Sequence, residues 1–172
     1  MPTKLPTEDL LPDIIDRRMN LLFVSPAPLH SWVESGHYHV GNGDRFYELL
    51  EVAGLTADRI APSADVTLLD HGIGLTTLSK TKSVHDAEEL EPVDFSIGRL
   101  IRLVFENSPE IVCCEGKQVF RDFFDRQGDF GIQKEKIADA LVFIAPSSTG
   151  DQIEYAKLSK HYRQLRQLLQ TP

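Results

Sequence analysis

Residues 111–124 read IVCCEGKQVFRDFF, and the change of pattern within them decides the fold. Four apolar or small residues stand together at 111–114, between Pro109 and Gly116, as in a strand buried on both faces. From there the apolar residues recur as Val119, Phe120, Phe123 and Phe124, the spacing of one helical face. Working outward, the same alternation returns. Residues 19–24 (MNLLFV) read as a second buried strand, stopped by Ser25-Pro26-Ala27-Pro28. Residues 141–145 (LVFIA) read as a third, stopped by Pro146-Ser147-Ser148-Thr149-Gly150. Between them, 45–53 (RFYELLEVA) carries Phe46, Leu49, Leu50 and Ala53 at helical spacing and closes on Gly54. Pro92 opens a helix with Val93, Ile97, Leu100, Ile101 and Val104 on one face. A last helix aligns Tyr155, Leu158, Tyr162, Leu165 and Leu169. Residues 66–69 and 73–78 read as strand and loop. Residues 1–19 form a Pro-rich, acidic lead-in with one helical turn around 8–15. Short apolar strands alternating with amphipathic helices predict an α/β fold, a three-layer α/β/α domain over 1–172. Its central, mostly parallel sheet is expected to include 20–24, 111–114 and 141–145.

The 172 residues hold 18 Lys and Arg against 26 Asp and Glu, a formal charge of −8. With 41% apolar residues the chain can bury a core, which excludes a wholly disordered protein. No apolar run approaches the roughly 18 to 20 residues of a membrane span. The first residues lack a basic start followed by an apolar stretch, so no signal peptide is expected. The two cysteines, Cys113 and Cys114, are adjacent, so no disulfide framework is expected. These features predict a protein of the cell interior, not secreted and not bound to membrane. The acidic balance argues against a constitutive nucleic-acid coat and leaves room for one local basic patch.

Parallel sheets bind ligands just beyond the carboxyl ends of their strands, so the loops 25–30, 115–117 and 146–151 are the place to look. Gly116-Lys117 at a helix start suits a phosphate through free N–H groups and the Lys charge, or is a plain turn. Ser147, Ser148 and Thr149 suit either a helix cap or hydroxyl contacts to a phosphodiester. Asp44, before Arg45, is a helix cap or a catalytic carboxylate, or both. Asp70, followed by His71, caps a turn, faces water or is a second candidate carboxylate. His37, His39 and His71 have no nearby Cys and no regular spacing, so no metal is expected, and no cofactor. The basic residues cluster at Lys157, Lys160, Arg163 and Arg166 and at Lys80 and Lys82, and read as solvated faces.

The motifs, taken in order, resemble the uracil/thymine mismatch-specific DNA glycosylases of the uracil-DNA glycosylase superfamily, from about Leu11 to Leu169. LPDII and then LLFV match the lead into the first strand. GDRFYELLEVAGLT (43–56) resembles GNRFWxLLxxAGLT. DHGIGLTTL (70–78) resembles DYGIGLTNL. EIVCCEGKQVF (110–120) resembles an apolar strand, GK and a helix. VFIAPSSTG (142–150) with KHYRQLRQLL (160–169) resembles the closing strand, Pro-Ser loop and terminal helix. The resemblance implies hydrolysis of the N-glycosidic bond of a flipped uracil or thymine in double-stranded DNA with a mismatched or damaged base, in base excision repair, by a monomer that is cytoplasmic and nucleoid-associated or nuclear.

It also implies a base pocket at Ser25, Pro26, Ala27 and Pro28, with Tyr38 or His39 as stacking face. Lys117, Ser147, Ser148, Thr149 and Gly150 would contact DNA. The departures fall on the chemistry. Ala27 stands where the family has an Asn that positions the attacking water, and Ala offers no hydrogen bond. One branch of the superfamily carries Ala there and uses a carboxylate from elsewhere. Asp44 replaces a family Asn, so the catalytic carboxylate is expected to be Asp44, ahead of Asp70. Asp151 stands where some members have an Arg that enters the duplex. Ala27, Asp151 and the charge of −8 favour an alternative, a degenerate member that serves as a DNA- or partner-binding module.

Overall fold

The structure, a computed structural model, describes residues 9–85, 90–149 and 154–170. Its centre is a five-stranded sheet of β1 (Leu21–Ser25), β2 (Ile73–Thr77), β3 (Ile111–Glu115), β4 (Gly131–Ile137) and β5 (Ala140–Ala145), in the order β2-β1-β3-β5-β4. β1 pairs in parallel with β2 and β3, and β3 in parallel with β5; only β4, on the edge, is antiparallel. Every residue of β1, β2 and β3 is buried, which is why β1 and β3 read as apolar runs up to their last residue, whereas β2 carries Gly74, Thr76 and Thr77.

Alternation along each strand feeds two cores. Leu21, Phe23, Ile111, Cys113 and Phe143 face one side, where they meet α1 (His30–Ser35), α2 (Phe46–Val52) and α5 (Tyr155–Gln170) through Trp32, Phe46, Leu50, Leu158 and Tyr162. Leu22, Val24, Val112, Cys114 and Ile144 face the other, against α3 (Ile97–Asn107) and α4 (Lys117–Phe124) through Leu100, Val104, Val119 and Phe120. The fold is therefore the expected three layers. No helix among the described residues is long and apolar enough to cross a membrane.

Three local expectations are corrected, and one strand goes unread in the sequence. Residues 66–69 are not a strand: a 3-10 segment, Pro62–His71, runs through them and buries Leu68 and Leu69 while leaving Val66 exposed. Pro92 does not open α3. Pro92–Asp94 form their own 3-10 turn with a capping box between Glu91 and Asp94, extended Phe95 breaks the helix, and Val93 is 85% exposed. β4 escapes pattern reading because Ile132, Lys134 and Lys136 of this edge strand all face solvent. The lead-in, from residue 9 on, is extended rather than helical: Ile14 bridges Leu75 antiparallel and Leu11 is buried; Glu8 lies outside the described residues.

The register places Val24 beside Cys114, and Cys114 beside Ile144. The carboxyl ends of β1, β3 and β5 thus lie at one edge of the molecule, and the loops after Ser25, Glu115 and Ala145 leave on the same side. Gly116 N–H donates to Ala145 O at 2.8 Å and ties two of them together.

Candidate functional site

The segment between α1 and α2 folds back over that end of the sheet. Gly36 (φ 76°), His39 (φ 58°), Gly41 and Gly43 give it a tight, left-handed course, and His39 is the one bulky residue held there in an unfavourable conformation. Its ring stacks on Phe46 at 3.9 Å and 12°, with Trp32 tilted against it at 4.5 Å. His39 Nδ1 lies 2.7 Å from Asp44 Oδ2, and Nε2 lies 3.2 Å from Glu115 Oε2 as an ion-pair contact rather than an aligned hydrogen bond. The Ser25 hydroxyl donates to the same Glu115 oxygen. On the other side, the Ser148 hydroxyl (2.9 Å) and the Phe46 N–H (3.0 Å) both donate to Asp44 Oδ1.

A chain of polar side chains, Ser25–Glu115–His39–Asp44–Ser148, therefore joins the ends of β1 and β3, the 38–45 segment and the loop after β5. The side chains of His39, Asp44 and Glu115 are 2%, 4% and 3% exposed. Burial disfavours a charged imidazole, but Asp44 and then Glu115 outweigh it and raise the His39 pKa to about 10. Burial likewise opposes the Asp44 carboxylate, and His39 beside it still holds its pKa below the usual value. The cluster is thus one imidazolium between two carboxylates. Two further atoms face it without a well-formed hydrogen bond among the described residues: Glu115 Oε1 and the Tyr162 hydroxyl. Burial first, and then Glu115, Cys113 and Asp44, push the Tyr162 phenol well above its ordinary pKa. Such a site can offset positive charge that develops next to it and can accept a proton from a small donor.

Of the residues expected from sequence, Ser25, His39, Asp44 and Ser148 meet here. Asp44 is both things at once, since its carboxylate caps the start of α2 while it holds His39. Asp70 is not brought to the site. It precedes β2, at the amino end of the sheet, with its side chain 65% exposed and 3.0 Å from Arg18. Neither Tyr38 nor His39 offers an open stacking face: the Tyr38 hydroxyl donates to Pro12 O at 3.0 Å within the core, and the His39 ring is already covered by Phe46. Ala27 and Pro28 are buried and Pro26 partly so, with the Pro26 and Pro28 carbonyls accepting from Ser79 and Val84 N–H.

Ser148 points inward to Asp44 and is 1% exposed, so it is not available to a phosphate; Ser147 is exposed and its hydroxyl lies 2.8 Å from that of Thr149. Lys117 is half-exposed, 3.4 Å from Asp129 and 4.6 Å over the Phe130 ring. Gly150 and Asp151 lie outside the described residues. Lys80 is not surface charge: it is buried on Leu11 O and Asp13. Glu115 was missed from sequence, because a Glu between an apolar strand and a Gly reads as the solvated start of a turn.

The family model described as "Uracil DNA glycosylase superfamily" matches residues 12–170. Among solved structures, the chain is similar to a candidate uracil DNA glycosylase from Methanosarcina acetivorans, determined by NMR in solution. The two share 15% identity, with a TM-score of 0.62 over 96% of this chain and 99% of that one. At that identity the likeness is one of fold.

Proposed function

The chain belongs to the uracil DNA glycosylase superfamily, and from that premise we propose that it hydrolyses the N-glycosidic bond of uracil or thymine flipped from a mismatched duplex, as a step of base excision repair. Extrusion of a base costs roughly a few kcal/mol, and less at a mismatch, which favours such sites over paired DNA. Bond cleavage then needs stabilisation of an oxocarbenium-like sugar and of the departing pyrimidine anion, together with a water. The observation that carries the reading is the buried Ser25–Glu115–His39–Asp44–Ser148 chain. It gathers two carboxylates at the carboxyl end of a parallel sheet, where a ligand is expected. With Ala27 unable to orient a water, that carboxylate pair is the group left to do so. One excess negative charge beside the sugar would also favour the cationic transition state.

The test is strand scission after alkali on duplexes with U·G, T·G and hypoxanthine. Cleavage of U·G and T·G is the expected outcome, and Ala27→Asn should raise the rate. The reading fails if no duplex is cut at stoichiometric protein. One observation favours a second reading, the binding module that has lost cleavage: the ring faces of Tyr38 and His39 are covered. On that reading, wild type binds a U·G duplex without cutting it, and Ala27→Asn restores cutting.

A further inference from the structure

We propose that Glu115 is the catalytic carboxylate that takes the proton of the attacking water, and that Asp44 and His39 are positioning residues that hold it. This rests on the glycosylase reading above. The first argument is valence. Asp44 Oδ1 already accepts from Ser148 and Phe46, and Oδ2 faces His39 Nδ1 at 2.7 Å. Glu115 differs in its two oxygens. Oε2 accepts from Ser25 and faces His39 Nε2, whereas Oε1 is buried without a partner among the described residues. A buried carboxylate oxygen seeks a donor, and a water is the smallest donor available.

The second argument is position. Glu115 ends β3, which lies between β1 and β5, so its carboxylate sits at the root of the loops after Ser25 and Ala145. Ala27 belongs to the first of these loops, just after Ser25, whose hydroxyl bonds Glu115, so a water left without its family partner there would meet the side chain from the neighbouring strand. Asp44 is held instead from above, by the start of α2. The third argument is basicity. A carboxylate gripped by three partners, as Asp44 is, makes a weak base. Glu115 keeps one oxygen uncommitted, and the imidazolium beside its other oxygen fixes its orientation.

The step balances. The water oxygen bonds to C1′ as the C1′–N1 bond breaks, and the bonding pair leaves with the pyrimidine as its anion. The water proton passes to Glu115 Oε1. The base anion then takes up one proton, either directly from Glu115 or from solvent while Glu115 releases its own proton to solvent; both routes return the carboxylate. No oxidant or metal enters the balance.

Single-turnover cleavage of a U·G duplex by Glu115→Gln tests this. The expected loss is about 10²- to 10⁴-fold in rate, with affinity for the duplex within a few-fold of wild type and the acid limb of the pH–rate profile gone. Asp44→Asn should slow the reaction and keep that limb. A Glu115→Gln rate within three-fold of wild type overturns the assignment and leaves the glycosylase reading standing; a wild type inert on every duplex overturns both. If Glu115→Gln does not fold, Ser25→Ala decides. It removes the hydrogen bond that holds Glu115 Oε2, so the single-turnover rate should fall by about tenfold or more with duplex affinity unchanged, and a rate within three-fold of wild type overturns the assignment.

Discussion

A buried imidazolium survives only beside carboxylates, and His39 has two of them within 3.2 Å. The linkage to stability has a definite sign. The His39 pKa rises from 6.5 to about 10 on folding. Its contribution is therefore complete below about 6.5 and is lost as pH rises through about 10. Asp44 is shifted the other way, below 3.8, so its share is present above that value and disappears as pH falls through the folded value. Replacing one member of a buried pair strands the other, at about 3–5 kcal/mol. His39→Gln should accordingly lower stability most at pH 5–6, and the gap to wild type should narrow towards pH 10. Urea midpoints of both proteins at pH 6, 8 and 10 measure this. A gap that stays constant across that range would mean His39 is buried neutral.

At the scale of elements, β2 pairs with β1 on one side and is held by the lead-in segment on the other. Ile14 bridges Leu75, while Asp13 accepts from Thr76 (2.6 Å), Lys80 (2.7 Å) and Arg99 (2.8 Å). That approach needs Gly74. A Cβ there would stand 2.5 Å from Met19 Sδ and 2.9 Å from Ile14 O; the thioether can turn aside, but the carbonyl cannot without opening the bridge. Gly74→Ala should cost about 1–3 kcal/mol as an overpacked site. Gly98, in α3, meets nothing within 4 Å of an added Cβ. Gly98→Ala should be neutral or stabilise by up to about 1 kcal/mol. Thermal unfolding of the two variants separates a steric cause from a general sensitivity to Gly replacement. Loss of Asp13 would leave Lys80 buried without its carboxylate, so Asp13→Ala should be the more damaging change in this region.

At the scale of the whole molecule, the proposed function would require a chain of formal charge −8 to meet a polyanion through a small surface. The candidate contacts are Lys117, Ser147 and Thr149, all on the side where β1, β3 and β5 end. Lys117 is already shared with Asp129, so its hold on a phosphate competes with an ion pair. Binding to a labelled U·G duplex should weaken steeply with salt. Lys117→Ala should weaken every sequence alike and reduce the salt slope by about one. Asp129→Asn, which frees Lys117, should do the reverse. A salt slope unchanged by Lys117→Ala would place the DNA elsewhere on the surface.

Three of the five strands are legible in the sequence because strands buried on both faces must be apolar without interruption, and residues 21–24, 111–114 and 141–145 are. Their parallel order follows from the helices between them, and with it the side on which the loops after 25, 115 and 145 emerge. β4 is not legible, since an edge strand with Lys134 and Lys136 outward has no reason to be apolar. Asp44 could be picked out because a carboxylate before a helix has local work to do as a cap. Glu115 could not, because nothing local requires a Glu at the end of β3 to be buried. Its burial depends on Ser25, 90 residues away, and on His39 across the sheet's end. Likewise Ser148 turns inward only because Asp44, 104 residues earlier, is there to accept from it. Local pattern records the periodicity of burial and the needs of helix ends. Which polar groups neutralise one another inside is decided only when distant segments meet, since the energy of a buried charge belongs to its neighbours in space.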